Sequence, residues 1–305
     1  MRLLVSASHL GTTLQLIACS RCGTRLGMNV DSIHDTADLI AALQPYLPRP
    51  IACPRPASQG PMLGVAAVVD GIQQTKTLTH RAGRPVVLAF LAAGAVDPAT
   101  GTLLAIEERL TLHCATQDVG WLADVTNSTV PIEHTPATHF REVEDDIAAA
   151  IGDKRMRLEA RLVRRLLTDA PDTQHVVVDG SLAPHARDRR VVGLVKTTDT
   201  TYLACEHQLL SLPEGRTTPA FRTDHAHSSY LRLHHNHRRS WAHGLVRLET
   251  HDPSLLDQFA SWAMSQRQPP TTKDPRGDRH LSPVAVCEAW LRSRTPAVLT
   301  LDLDQ

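Results

Sequence analysis

The chain has 305 residues, 42% of them hydrophobic and 21% charged, a balance that suits a folded globular protein and excludes a disordered one. Its 32 basic and 32 acidic residues cancel, so no global positive field advertises a nucleic-acid binder and any such role must rest on local patches. No run of 18 apolar residues is present, which argues against a membrane-spanning helix. The six dispersed cysteines suit reduced thiols, so a cytoplasmic location is expected.

Residues 1–60 read as an N-terminal extension, and residues 61–305 as the main domain. Within the extension, Asp31-Ser32-Ile33 can open a helix with Ala37, Leu39, Ile40, Leu43 and Leu47 at helical spacing. Pro48, Pro50, Pro54 and Pro56 then mark a linker. Cys19 and Cys22 resemble half of a zinc knuckle, but no second pair lies at a suitable distance.

The main domain opens with an apolar run, Leu63 to Val69, that ends in Asp70-Gly71 and predicts a buried central strand. Strands over 85–96 and 102–114 follow, joined by the turn Asp97-Pro98-Ala99-Thr100-Gly101, and the short connections predict an antiparallel meander. In the third strand Leu104, Ile106, Leu110 and Leu112 share one parity and are expected on the buried face. The periodicity then becomes helical from Glu142 to Thr168. A second valine-rich strand, His175 to Val178, closes in Asp179-Gly180, and Val191 to Lys196 is the next strand. Residues 205–245 are loop-rich by pattern. Helices are expected at 254–265 and 283–292, separated by a polar loop.

Two buried strands that end in Asp-Gly are the most informative feature. A carboxylate at the edge of an apolar strand costs free energy unless something compensates it, and a divalent cation with a taste for hard oxygen ligands does so well. The plainer reading is a turn opened by each Asp before glycine. Glu159 borders the apolar stripe of its helix and can face the sheet; alternatively it is a rim glutamate paired with Arg155. The basic residues crowding that helix, Arg155 among them, could hold phosphates or form a solvated face. Lys196, at a strand end beside the acids, is the better phosphate contact. Tyr230 could stack on a base or belong to the core, and Arg232 is counted with it among the candidate substrate contacts.

A three-strand meander, a helix bearing Glu and a strand bearing Asp follow the element order of an α/β, RNase H-like mixed sheet flanked by helices. The ordered motifs Val69-Asp70-Gly71, Arg157-Leu158-Glu159 and Val178-Asp179-Gly180-Ser181-Leu182 resemble those of the NurA nucleases. So do Val192 to Thr197, ending in Lys-Thr, and the pair Ser229–Leu233 and Val246–Glu249. The likeness spans about residues 63–293. Two motifs depart: Asp70-Gly71 continues in Ile72 rather than Ser, and Glu288 stands where the family's last motif has His. The resemblance implies a DNA nuclease with two Mn²⁺ or Mg²⁺ ions held by Asp70, Glu159 and Asp179. Glu288, or Asp278 or His280 from the preceding loop, would complete the site. It further implies a homodimer and a HerA-type hexameric ATPase partner, in end processing or anti-phage defence. A degenerate scaffold for such an ATPase, and a ribonuclease or junction enzyme on the same fold, are the rival expectations.

Overall fold

The computed structural model describes residues 61–126, 129–169, 174–185, 188–196, 209, 211–235, 242–269 and 277–300 in full, and the backbone of three short strands before them. Two of those strands, β1 (Thr13–Ile17) and β2 (Arg25–Asn29), form an antiparallel pair. The third, β3 (Arg55–Pro56), falls in the stretch read as linker and pairs with the edge of the main sheet. The expected helix over 31–47, the Cys19 to Cys22 motif and the proline linker otherwise lie outside the described residues.

The main sheet has 11 strands. Its centre is the meander of β4 (Val65–Arg81), β5 (Arg84–Val96) and β6 (Leu103–Ala115), each antiparallel to the next. A short strand, β7 (Ile132–Thr135), runs parallel to β6 and precedes a long helix. On the other side of β4 lie β8 (His175–Asp179) and β9 (Val191–Val195), both parallel. The order β6-β5-β4-β8-β9, with only β5 reversed, is the RNase H-like arrangement. β13 (Leu245–Thr250) and β12 (His227–Arg232) extend it as an antiparallel pair, with β10 (Arg216–Thr217) and β11 (Phe221–Arg222) against β12. The segment 205–245 is therefore richer in strand than its pattern suggests, because short strands of mixed polarity carry little period.

Five helices are described: α1 (Val119–Thr126), α2 (Phe140–Asp169), α3 (Leu256–Gln266), α4 (Ser282–Ser293) and α5 (Ala297–Thr300). None is long and apolar enough to cross a membrane. The sheet is covered on both faces. Val143, Ile147, Ile151, Leu158 and Leu162 of α2 pack against Ala67, Val69, Leu91, Val176 and Val178 on one face. Phe259 and Trp262 of α3 with Val284 and Leu291 of α4 cover Val68, Ile72, Val177 and Leu194 on the other. That two-sided burial explains why β5 and β9 read as unbroken apolar runs.

Two expectations need correction. The first strand does not end at Asp70-Gly71: β4 continues to Arg81, and the chain reverses at Ala82-Gly83, both with positive φ. What ends near Asp70 is the parallel pairing on one flank, whose last pair is Val69 with Val178. In β6 a register shift between Ala95 and Val96 places Leu103 opposite Val96 and Ala105 opposite Ala95. Leu104 is thus the extra residue of a bulge and is 49% exposed rather than buried.

Candidate functional site

Parity along the strands decides which acids meet. Val68 and Ile72 face α3 and α4, so Asp70 between them does too; Val177 gives Asp179 the same face. The two carboxylates come from adjacent parallel strands at the point where their pairing stops. Lys196, just past β9, donates from Nζ to Asp179 Oδ2 at 2.8 Å and is almost wholly buried. Asp70 Oδ1 accepts the Gly71 N–H at 2.7 Å. Burial, with repulsion from Asp179, pushes the Asp70 carboxyl well above the usual range, and Lys196 opposes the rise.

Glu159 reaches the site from the opposite face. A Cβ on Gly71 would lie 2.0 Å from its Oε1, so the glutamate fits over β4 only because position 71 has no side chain. It is paired with Arg155, one turn earlier on α2. Burial raises the Glu159 carboxyl to about 7 against the pull of Arg155, with Asp179 adding to the rise. Both earlier readings of Glu159 are therefore realised together: it faces the sheet, and it is paired with Arg155.

From α4 the residue turned to Asp70 is Cys287. Its buried thiol stands in the field of Asp70, Asp179 and Glu159, and burial pushes its titration up. Glu288, the next residue, is drawn into an i,i+4 ion pair with Arg292, which explains why the helix does not present it to the acids. Asp278 accepts from Gly244 N–H and pairs with His243 at 3.1 Å. His280, two residues on, is part-buried, and its carbonyl accepts the Gln268 N–H.

Two candidate substrate contacts prove to be core residues. Tyr230 is 2% exposed and stacks on Phe221 in a cluster with Leu209, Leu212 and Leu245. Arg232 is fully buried, and its guanidinium serves the carbonyls of Leu209, Leu212 and His243. Neither can meet a nucleic acid. The basic stripe of α2 is also partly committed: Lys154 pairs with Glu133, and Arg161 and Arg165 with Glu107. In the basic run His234 to Arg239, another local patch that could hold phosphates, residues 236–239 lie outside the described residues.

Sequence reasoning passed over Glu249. This fully buried carboxylate on β13 accepts from Leu182 N–H at 2.8 Å, from Ser181 Oγ at 3.0 Å and from Arg247 at 2.8 Å. His225 Nε2 lies 2.9 Å from the same hydroxyl. The reach crosses β9 at Gly193, where a Cβ would come 2.8 Å from the Gly180 carbonyl. Glu249 thus fastens the turn that directly follows Asp179. Polar and apolar residues alternate from Val246 to Glu249, the pattern of a strand with one wet face, so nothing in the sequence marked the acid as buried.

Asp70, Asp179 and Lys196 share one face, and Glu159 stands across the strand. No family model and no curated protein matches the chain. Among solved structures, the NurA nuclease from Sulfolobus solfataricus aligns with a TM-score of 0.45 at 10% identity, covering 77% of this chain and 81% of that one. The catalytic domain of human endonuclease V gives 0.41 at 13% identity over 87% and 96%. Endonuclease V from Bacillus subtilis gives 0.35 at 10% over 86% and 92%. Likenesses this distant add nothing to the strand order, which defines the fold by itself.

Among the described residues no group of three or more His, Cys, Asp or Glu side chains is placed to hold a metal ion. A hard cation nevertheless needs only one or two protein carboxylates, with water and substrate phosphate supplying the rest. The pair Asp70 and Asp179 meets that need. Burial and the neighbouring Asp179 disfavour the charged form of Asp70, and a cation bound there would favour it.

Proposed function

We propose that this protein is a divalent-metal-dependent nuclease that hydrolyses phosphodiester bonds in DNA. The observation that carries the reading is the convergence of Asp70 and Asp179 on one face of an RNase H-like sheet, at the end of their parallel pairing. Asp70 and Asp179 would hold Mn²⁺ or Mg²⁺, and Glu159 would act within their field. The ion, when bound, would activate a water and offset charge on the phosphoryl group. Lys196 keeps an ammonium beside Asp179 and can receive a non-bridging phosphate oxygen there. Arg155 pairs with Glu159 and opposes the rise that burial imposes on its carboxyl. Glu249 keeps the Asp179 turn from shifting, and packing from α3 and α4 limits water on that face.

Choice of DNA as substrate, a homodimer, a HerA-type hexameric ATPase partner and a cytoplasmic setting rest on the NurA-like motifs and composition. The test is digestion of labelled single- and double-stranded linear DNA with Mn²⁺, beside Asp70→Ala and Asp179→Ala. Cleavage should fall at least about a hundredfold in each variant while circular dichroism stays native. Absence of cleavage by folded wild-type protein, with and without a HerA-type partner, would leave a scaffold docked on that ATPase. A preference for RNA would change the substrate and keep the chemistry.

A further inference from the structure

We infer that Lys196 supplies a fixed positive charge where a second metal ion would otherwise be needed, so that the centre takes one divalent ion per chain. This rests on the metal-dependent reading above and replaces the two-ion site that the sequence resemblance implies. The Lys196 ammonium sits 2.8 Å from Asp179 Oδ2, on the face that Asp70 shares. It is not a loosely tethered surface lysine. Its side chain is 9% exposed, it follows directly on β9, and its backbone carbonyl accepts from the Arg279 guanidinium.

The geometry agrees with one ion and not with two. The place beside Asp179 is taken by the Lys196 side chain, so a second cation there would meet a like charge in a buried place, where charge is expensive. Ligands run short as well, because Glu159 is turned to Arg155 across β4 and no third His, Cys, Asp or Glu completes a metal-holding group with Asp70 and Asp179 among the described residues.

The test counts ions and does not depend on turnover alone. Mn²⁺ binding to the full chain is measured by electron paramagnetic resonance of the free ion, for wild type, Lys196→Met and Lys196→Arg. Wild type should bind one Mn²⁺ per chain. Lys196→Met, which removes like-charge repulsion, should bind its ion at least about tenfold more tightly and yet cleave DNA far more slowly. Lys196→Arg should keep the wild-type affinity within about threefold. If the methionine variant does not fold, Lys196→Gln gives the same reading. Two ions per wild-type chain, or equal or weaker binding by the neutral variant, overturns the inference and leaves the nuclease reading standing. Binding of no ion by wild type removes both.

Discussion

Glu159 carries a measurable consequence of its place above Gly71. Its carboxyl titrates at about 7 in the fold against 4.5 as an ordinary glutamate, chiefly because it is buried. The native state therefore holds a proton that the unfolded chain has released, and stability falls as pH rises between those two values. Its share is largest below pH 4.5 and is gone above about 7, a loss of up to about 3 kcal/mol. Asp70 adds to the fall in the same direction. In chelator-treated protein, urea midpoints should drop from pH 5 to pH 8, and Glu159→Gln should shrink that drop. An undiminished drop in the variant would place the proton elsewhere. Gly71→Ala tests the same contact from the other side. Its methyl would overlap Oε1, so the glutamate must leave or the strand must bend, at about 1–3 kcal/mol by thermal melting. At this scale the sequence shows the acids themselves, because charged residues interrupt apolar runs. It does not show their partners: Cys287 looks like any core cysteine, and Tyr230 and Arg232 look available until the packing around β12 is seen.

At the scale of elements, a hairpin and a fastening decide where those acids stand. Asp-Gly is a strong turn signal, which is why Asp70-Gly71 reads as a strand end. The chain turns instead at Ala82-Gly83, where Ala82 has a φ of 48°. An alanine in the left-handed region is strained, and asparagine tolerates that region better. Ala82→Asn should therefore stabilise the protein by about 0.5–1 kcal/mol, read as a rise in the urea midpoint, and a fall would mean that the turn is not as described. The second device is Glu249. Replacing it with alanine takes the carboxylate from Arg247 and orphans the Leu182 N–H in a fully buried place, and should cost about 3–5 kcal/mol. Glu249→Gln keeps an acceptor and should cost less, with Asp179-dependent metal binding weakened more than stability in that milder variant. Strands β5, β8 and β9 and helices α2, α3 and α4 are legible because their apolar residues recur at clear periods over enough length. The bulge at Leu104 and the two-residue strands β10 and β11 are not, since a single inserted residue or a two-residue strand leaves no period to read.

For the whole molecule, charge sets the terms on which the proposed DNA substrate can be met. The chain has as many acidic as basic residues, and several α2 cations are already paired with Glu107, Glu133 and Glu159. Affinity for a polyanion that comes from counterion release scales with the number of phosphates neutralised. A neutral protein whose basic helix is partly spent can neutralise few. Binding of the purified chain to labelled duplex should then be weak at physiological salt. Its logarithmic salt slope should be shallower than about −3, corresponding to about three phosphate contacts or fewer. Fluorescence anisotropy across a salt series reads both quantities. A slope steeper than about −6 would reveal a large basic surface that the pairing on α2 does not leave, and would mean that the protein captures DNA unaided. A shallow slope together with metal-dependent cleavage would describe a centre built for chemistry rather than for capture, one whose substrate has to be delivered. The hexameric translocase proposed as its partner would then steepen the salt dependence of cleavage in the complex, while the Asp70→Ala complex would bind as steeply and cut nothing.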